Sequence, residues 1–350
     1  MAQNNKYISS ILNNLFIYGA AVLLALGVIS IFVAILGFNV LEALRTLLTT
    51  SFKSSFGFSE TIKKAIPLLF ATYAFTIPFM IKFFNIGGWG QMLFGGTMTV
   101  VVGLTLGPIG LPAIIMVPLL LLVGIISGGL FALLAGLLKA KYDVNPIIST
   151  IMLNFIAYQF VNFIATSNTF GDPNEGHPIT LKLSESSLMG FFGEIPASII
   201  LAIIAIAIVY LIMKKTKLGF EITAVGNNLT ASQTYGINFS KTIMIAFFLG
   251  GALAGLGGSL EMLNIQGKLI EGFAKTSGAQ YGVFGILTSL VVAGNPLAVP
   301  LAAFFMSVLL VGADSLQRTM QVPVEVVFLS QAIIVLFIVV IREKFGKGNK

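Results

Sequence analysis

Asn154, Tyr158 and Asn162 recur at i, i+4 and i+8, which puts them on one face of a helix with Thr150 a turn earlier. Asn85 and Gln91 flank a second polar feature, the glycine-rich run Ile86-Gly-Gly-Trp-Gly90. All six side chains are neutral hydrogen-bonding groups inside long apolar stretches. Such groups can bond one helix to another, or they can line a path for a polar, uncharged solute. Spacing alone leaves both readings open. Covalent chemistry has little to work with. The chain has no Cys and one His, His177, so thiolate nucleophiles, disulfides, thiolate metal sites and multi-histidine centres are excluded.

The elements that must carry these residues follow from composition. Of 350 residues, 57% are hydrophobic and 9% charged, against roughly 25% charged in an ordinary soluble domain. Apolar runs of about 20 residues match the length a helix needs to cross a hydrocarbon core. The expected fold is an all-α polytopic membrane protein, one transmembrane domain over 1–350. About ten spans are predicted, at 17–38, 65–83, 88–107, 112–138, 146–166, 196–213, 242–263, 279–294, 297–313 and 327–342. The N-terminal segment carries only Lys6 before a long apolar run that lacks a small-residue cleavage site, so a retained first span is expected rather than a removed signal peptide.

The net charge of +7 comes without a basic, aromatic-interleaved surface, so nucleic acid is not an expected partner. With ten spans, Lys82, Lys139, Lys141, Lys214, Lys215, Lys217 and Lys241 gather on one side, and the positive-inside rule then puts both termini in the cytoplasm. The opposite side receives the loop 166–196, polar and acidic, for which a solvated external loop is the expectation, His177 included. Between 38 and 64, Leu41, Leu44, Leu47 and Leu48 beside Glu42 and Arg45 predict an amphipathic helix at the bilayer interface.

Small residues mark packing faces. Gly124, Gly128, Ala132 and Gly136 repeat every four residues, as do Gly251 with Gly255 and Ala254 with Gly258, so these stripes are expected to bring helices close. No carboxylate or lysine is expected at mid-span; Glu261, Asp314 and Glu325 fall near span ends where outer water would reach them. That weighs against ion coupling. Two stretches are broken by glycine, 85–91 (NIGGWGQ) and 277–285 (SGAQYGVFG), each followed by an apolar run and a Gly/Pro corner. They form a weak internal repeat, and paired interrupted segments point to a transporter's binding region.

The inner stretch 214–241 is too polar to cross the bilayer and too patterned to be a tether. Gly219, Gly226 and Gly236 punctuate it, and Asn228 or Thr230 is placed to N-cap a short helix that Gly236 ends. On three segments the chain resembles the permease subunits of ATP-binding-cassette (ABC) importers of the branched-chain amino acid/ribose/nucleoside family, in particular the nucleoside permeases. The segments are 84–96 (FNIGGWGQMLFGG), 147–157 (IISTIMLNFIA) and 219–238 (GFEITAVGNNLTASQTYGIN). The resemblance implies a multi-pass subunit in a bacterial cytoplasmic membrane that works with an ABC ATPase, a second permease (a paralogue or a second copy) and a substrate-binding lipoprotein. It implies that 219–236 is the ATPase-coupling loop, with Gly219, Glu221, Gly226, Asn227, Ala231 and Gly236 as coupling residues. It also implies that Asn85, Gln91, Thr150, Asn154, Tyr158 and Asn162 line the substrate pathway.

Two positions depart from the pattern: Trp89 and Pro146 stand where similar nucleoside permeases tend to have Glu. No G-x-x-x-x-G-K-[ST] phosphate loop occurs, so no cofactor is expected in this chain, and ATP with its magnesium belongs on the partner ATPase. The function expected is nucleoside import without catalysis in this chain. The alternatives are a sugar or branched-chain amino acid permease of the same type, or an ion-coupled secondary transporter.

Overall fold

The computed structural model describes residues 24, 26–28, 30–271, 274, 277–322, 329, 332–333, 335–337 and 339–340. The helices whose bounds lie within the described residues are, in chain order, α1 (Val40–Lys53), α2 (Ser55–Met80), α3 (Gly88–Leu106), α4 (Ala113–Tyr142), α5 (Pro146–Ala165), α6 (Ser198–Lys215), α7 (Lys217–Asn227), α8 (Leu229–Thr234), α9 (Phe239–Glu261), α10 (Ser277–Val291) and α11 (Val299–Met320). A π-helical turn, Met262–Gln266, extends α9, and a two-residue hairpin pairs β1 (Phe191–Phe192) with β2 (Ile195–Pro196).

Six of the described helical segments are long and apolar enough to cross a membrane: Gly88–Ile109, Ala113–Tyr142, Pro146–Ala165, Ser198–Lys215, Phe239–Gln266 and Val299–Met320. These correspond to six of the ten predicted spans, so the polytopic helical reading stands, and ten spans are not confirmed among the described residues. The stretch 65–83 falls in α2, which is 26 residues long but diluted by Glu60, Lys63, Lys64 and three threonines. The stretch 279–294 becomes α10, with 15 residues too short to cross alone. The predicted spans 17–38 and 327–342, both chain termini and Glu325 lie wholly or partly outside the described residues.

The chain divides into two compact units, 1–61 with 305–350, and 62–304. In the first, α1 is the predicted amphipathic helix, N-capped by the Asn39 side chain on Glu42 N–H. The leucines do not share one environment. Leu47 is buried with Ala43 and Ser51, whereas Leu41 is 78% exposed. Ser51 Oγ donates to the Val308 carbonyl at 3.4 Å, and Gly312 leaves room for the backbone of Leu47, so the buried side of α1 rests on α11.

In the second unit the small-residue stripes do what their spacing predicts. A Cβ on Gly255 would stand 2.0 Å from the Gly124 carbonyl, one on Gly251 would meet the Ala132 Cβ, and one on Gly258 would stand 2.0 Å from the Met92 carbonyl. The backbones of α3, α4 and α9 therefore touch directly. Thr99 and Ser259 join hydroxyls at 2.7 Å inside this three-helix core. Without a hydrophobic gradient to drive association in lipid, such close contact is the main source of helix affinity.

One end of this unit collects Met80 to Phe84, Lys139 to Asn145 and the α7–α8 pair. Ser240 Oγ reaches the Ala140 carbonyl, and Lys139 sits over the Phe83 ring. The other end collects the α3–α4 corner, the 166–196 stretch and the end of α9. The 166–196 stretch folds into a cap whose polar residues are largely exposed, His177 among them. Leu183 N–H donates to Gly267 O at 2.9 Å, Thr180 N–H to Leu269 O at 3.0 Å and Met189 N–H to Leu263 O at 2.8 Å. Ile179, Thr180, Leu183 and Ser187 are buried, while His177 is exposed in a cavity of about 400 Å³ with Asp172 and Glu175. The same end shields Glu261, expected to meet outer water. It is 5% exposed and accepts from Gln266 Nε2 at 2.9 Å.

Candidate functional site

Helix α2 ends at Met80, and the chain turns back on itself before α3 begins at Gly88. The return is measurable against α2. Asn85 Nδ2 donates to the Ala74 carbonyl at 2.9 Å, and Gly88 packs on Ala74. Ala74 lies six positions before Met80, so α3 starts about 9 Å back along α2 from its end. Inside an apolar bundle, the unpaired backbone of such a return costs several kcal/mol per group unless it is satisfied.

The predicted polar residues satisfy it. Ile86 N–H donates to Thr150 Oγ1 (3.2 Å), Gly87 N–H to Asn85 Oδ1 (3.1 Å) and Gly90 N–H to Asn154 Oδ1 (2.8 Å), while Asn154 Nδ2 donates to the Ile86 carbonyl (3.0 Å). Asn85 and Gln91 close a reciprocal amide pair, at 3.0 and 2.9 Å. Asn85, Gln91, Thr150 and Asn154 are all buried. Four of the six residues singled out as pathway residues thus clamp the start of α3 to α2 and α5. In these four, the helix-to-helix bonding that spacing left open is what the geometry contains.

The α5 stripe changes character above Asn154. Tyr158, half-buried, donates its hydroxyl to the carboxylate of Glu271 in a short hydrogen bond, and its ring lies 6.3 Å from that of Trp89. Asn162 bonds Gln159 at 3.1 Å, and its buried Oδ1 has no hydrogen-bond partner among the described residues. Trp89 is fixed from a second side, because Nε1 donates to the Ala274 carbonyl at 3.0 Å and its Cβ packs on Gly282 of α10. The two glycine-broken stretches recognised as a repeat are therefore in contact at Trp89 and Gly282. From there α10 runs beside α2, with Gly285 against Ala71 and Thr76 bonded to Ser289 at 2.8 Å.

Glu271 and Ala274 carry no signal in the sequence that ties them to this place. Glu271 is brought in because the segment after the π turn is pinned to the cap, its N–H donating to the Pro178 carbonyl at 3.1 Å. Among the described residues no group of three or more His, Cys, Asp or Glu is arranged to hold a metal ion.

At the Lys-rich end, the predicted short helix is α8. Asn228, not Thr230, caps it by accepting from Ala231 N–H at 3.0 Å, and Gly236 follows it with φ +81°. Gly219 and Gly226 do not punctuate the stretch as expected. Both lie within α7, which Thr216 caps on Gly219 N–H. They are small because backbone crowds them. A Cβ on Gly219 would stand 2.4 Å from the Ile212 carbonyl, and one on Gly226 1.8 Å from that of Met80. Glu221 pairs with Lys217 at 3.6 Å, Asn227 is exposed and Ala231 half-buried. Phe220 and Tyr235, which spacing did not single out, are 67% and 86% exposed on this face.

Interrupted helices clamped inside a membrane bundle recur in transporters. The chain matches the family model described as branched-chain amino acid transport system, permease component, over residues 57–341, and it belongs to that family of ABC transporter permeases. It is 33% identical to a guanosine ABC transporter permease of Bacillus subtilis, covering 97% of this chain and 98% of that one. A glucose ABC transporter permease of Haloferax volcanii is 31% identical over 92% of this chain and 87% of its own. A nucleoside ABC transporter permease of Lactococcus lactis is 29% identical over 93% and 88%. No solved structure matches it.

Proposed function

We propose that this chain is the membrane subunit of an ATP-driven importer whose solute is a nucleoside. The observation that carries the substrate is the end-to-end similarity to the guanosine permease, 350 aligned residues that include the broken start of α3 and the α7–α8 platform. A glucose-type solute is the second reading, favoured by the Haloferax relative. In the proposed orientation, the end with Lys139, Lys141, Lys214 and Lys215 faces the cytoplasm, as the positive-inside rule requires, and both termini lie there. The membrane is the bacterial cytoplasmic membrane.

The platform 214–241 receives a separate ATPase chain, which holds ATP and magnesium. Phe220, Glu221, Asn227, Tyr235 and Gly236 form the face toward it, while Gly219, Gly226 and Ala231 seat the platform on the bundle. A second permease, paralogue or copy, and a substrate-binding lipoprotein complete the assembly. ATP-driven movement of the platform presses on Met80 through Gly226, five residues before Asn85, and so reaches the clamped start of α3. Asn85, Gln91, Thr150 and Asn154 hold the break that shapes the pathway, and Tyr158 and Asn162 continue it.

The test is uptake of radiolabelled guanosine, uridine and glucose in host cells with and without the gene, under ATP depletion and under collapse of ion gradients. Gene-dependent nucleoside uptake that fails only on ATP depletion is expected. Uptake that follows the ion gradient would make the chain a secondary transporter, and gene-dependent glucose uptake alone would move the substrate to sugars.

A further inference from the structure

We propose that Trp89, Tyr158 and Glu271 form a recognition site for a planar base carrying N–H donors, the aromatic pair offering a ring face to stack on and the carboxylate taking its donor edge. This deepens the nucleoside reading and rests on it. Three features of the geometry make the cluster a site rather than packing. First, Trp89 is held rigidly but not enclosed. Its Nε1 is taken by the Ala274 carbonyl and its Cβ by Gly282, yet the residue is half-buried rather than fully enclosed, so its position is fixed and part of its surface is reachable.

Second, the Trp89 and Tyr158 rings, with centroids 6.3 Å apart and a tilt of 39°, touch without stacking face to face, so neither ring covers the other's whole face. A planar ring placed against either face gains stacking contact, which is worth about 1–3 kcal/mol for a nucleobase on an aromatic side chain. Third, Glu271 is an ionisable group that the chain carries down from the cap to a spanning helix. Carboxylates at such positions are costly and are kept where they do work on a solute. Tyr158 takes one of its oxygens, and the other has no hydrogen-bond partner among the described residues.

The chemistry selects a class of ligand. An ionised carboxylate is acceptor-only, so it favours bases with adjacent N–H groups, as on the Watson–Crick edge of guanine, over bases that present acceptors. The clamp residues below, Asn85, Gln91, Thr150 and Asn154, are committed to backbone and to one another and leave this discrimination to the three residues above.

The experiment measures concentration-dependent uptake of guanosine, uridine and glucose in host cells expressing wild type, Glu271→Gln, Trp89→Phe or Trp89→Ala, with the membrane level of each variant followed by immunoblot. Glu271→Gln is expected to raise the half-saturating guanosine concentration by about tenfold or more, the size of one charged hydrogen bond, and to change uridine less. Trp89→Phe is expected to keep most of the affinity that Trp89→Ala loses. Trp89 is the single tryptophan of the chain, so its emission in the purified wild-type permease gives a readout that needs no variant. Quenching by guanosine at lower concentration than by uridine, with none by glucose, is expected. Nucleoside uptake whose half-saturation is the same in Glu271→Gln and Trp89→Ala as in wild type overturns the recognition site and leaves the proposed function standing. Gene-dependent uptake of glucose without any nucleoside overturns the proposed function itself.

Discussion

Gly226 lies so close to Met80 that a Cβ added to it would stand 1.8 Å from the Met80 carbonyl oxygen. The platform helix α7 and the last residue of α2 are thus in backbone contact, and a methyl group can be accommodated only if one of them shifts. Gly226→Ala is expected to lower uptake by about tenfold or more, a barrier or stability change of roughly 1.4 kcal/mol, while the protein still reaches the membrane. Gly236 has open space but a φ of +81°, so Gly236→Ala meets only backbone strain of about 1–2 kcal/mol and should cost less. Uptake assays with membrane immunoblots check both. Wild-type rates in Gly226→Trp and Gly236→Trp together would remove the coupling role of 214–241.

Asn154 satisfies two backbone groups of the break at once, Gly90 N–H and the Ile86 carbonyl. Asn154→Leu keeps the volume and leaves both unpaired, at about 1–3 kcal/mol each. The purified variant should therefore melt at a clearly lower temperature in detergent than wild type. Gln159→Leu, at an exposed position one turn beyond, should not. Equal melting temperatures for Asn154→Leu and wild type would mean that the break is held by packing alone.

How far these features could be read from residues alone depends on the physics behind each. The stripes around Gly128 and Gly255 were legible because only small residues at a four-residue repeat let backbones touch, and the structure pairs them as expected. Asn228 was legible as one of two candidate caps because capping is local chemistry, confined to three residues. Span counting was less secure. Ser277–Val291 is apolar enough to resemble a span and too short to be one, a distinction that depends on where a helix starts inside glycine-rich sequence. Glu271 was not legible at all, because its place beside Tyr158 is set by the cap residue Pro178, 93 positions away in the chain.

Phe220 and Tyr235 present large aromatic surface on the platform, away from the buried residues Ile222 and Val225. Tyr235→Ser combined with Phe220→Ser is expected to abolish co-purification of the ATPase and to lower uptake in parallel. Guanosine quenching of Trp89 fluorescence should stay as in wild type, since the platform and the rings lie on different parts of the bundle. Undiminished ATPase co-purification would place the docking face elsewhere.

Gly255→Leu drives a side chain into the Gly124 carbonyl, 2.0 Å from the Cβ position, where α3, α4 and α9 meet. Loss of the monodisperse peak in size-exclusion chromatography is expected. Leu134→Ala, at a position on α4 that is 48% exposed, should leave the peak intact, which separates core disruption from a general sensitivity of α4.

The cap 166–196 has a consequence for how the chain can vary. Its residues 178–183 run alongside 267–271 through backbone bonds, so the cap behaves as a splint laid on the strand of chain that carries Glu271. An insertion or deletion between Pro178 and Leu183 would slip that splint by a residue and turn the Glu271 carboxylate away from Tyr158. The same change nearer His177, at the exposed tip, would leave it in register. Length at the tip can change without moving Glu271, whereas length along the splint cannot.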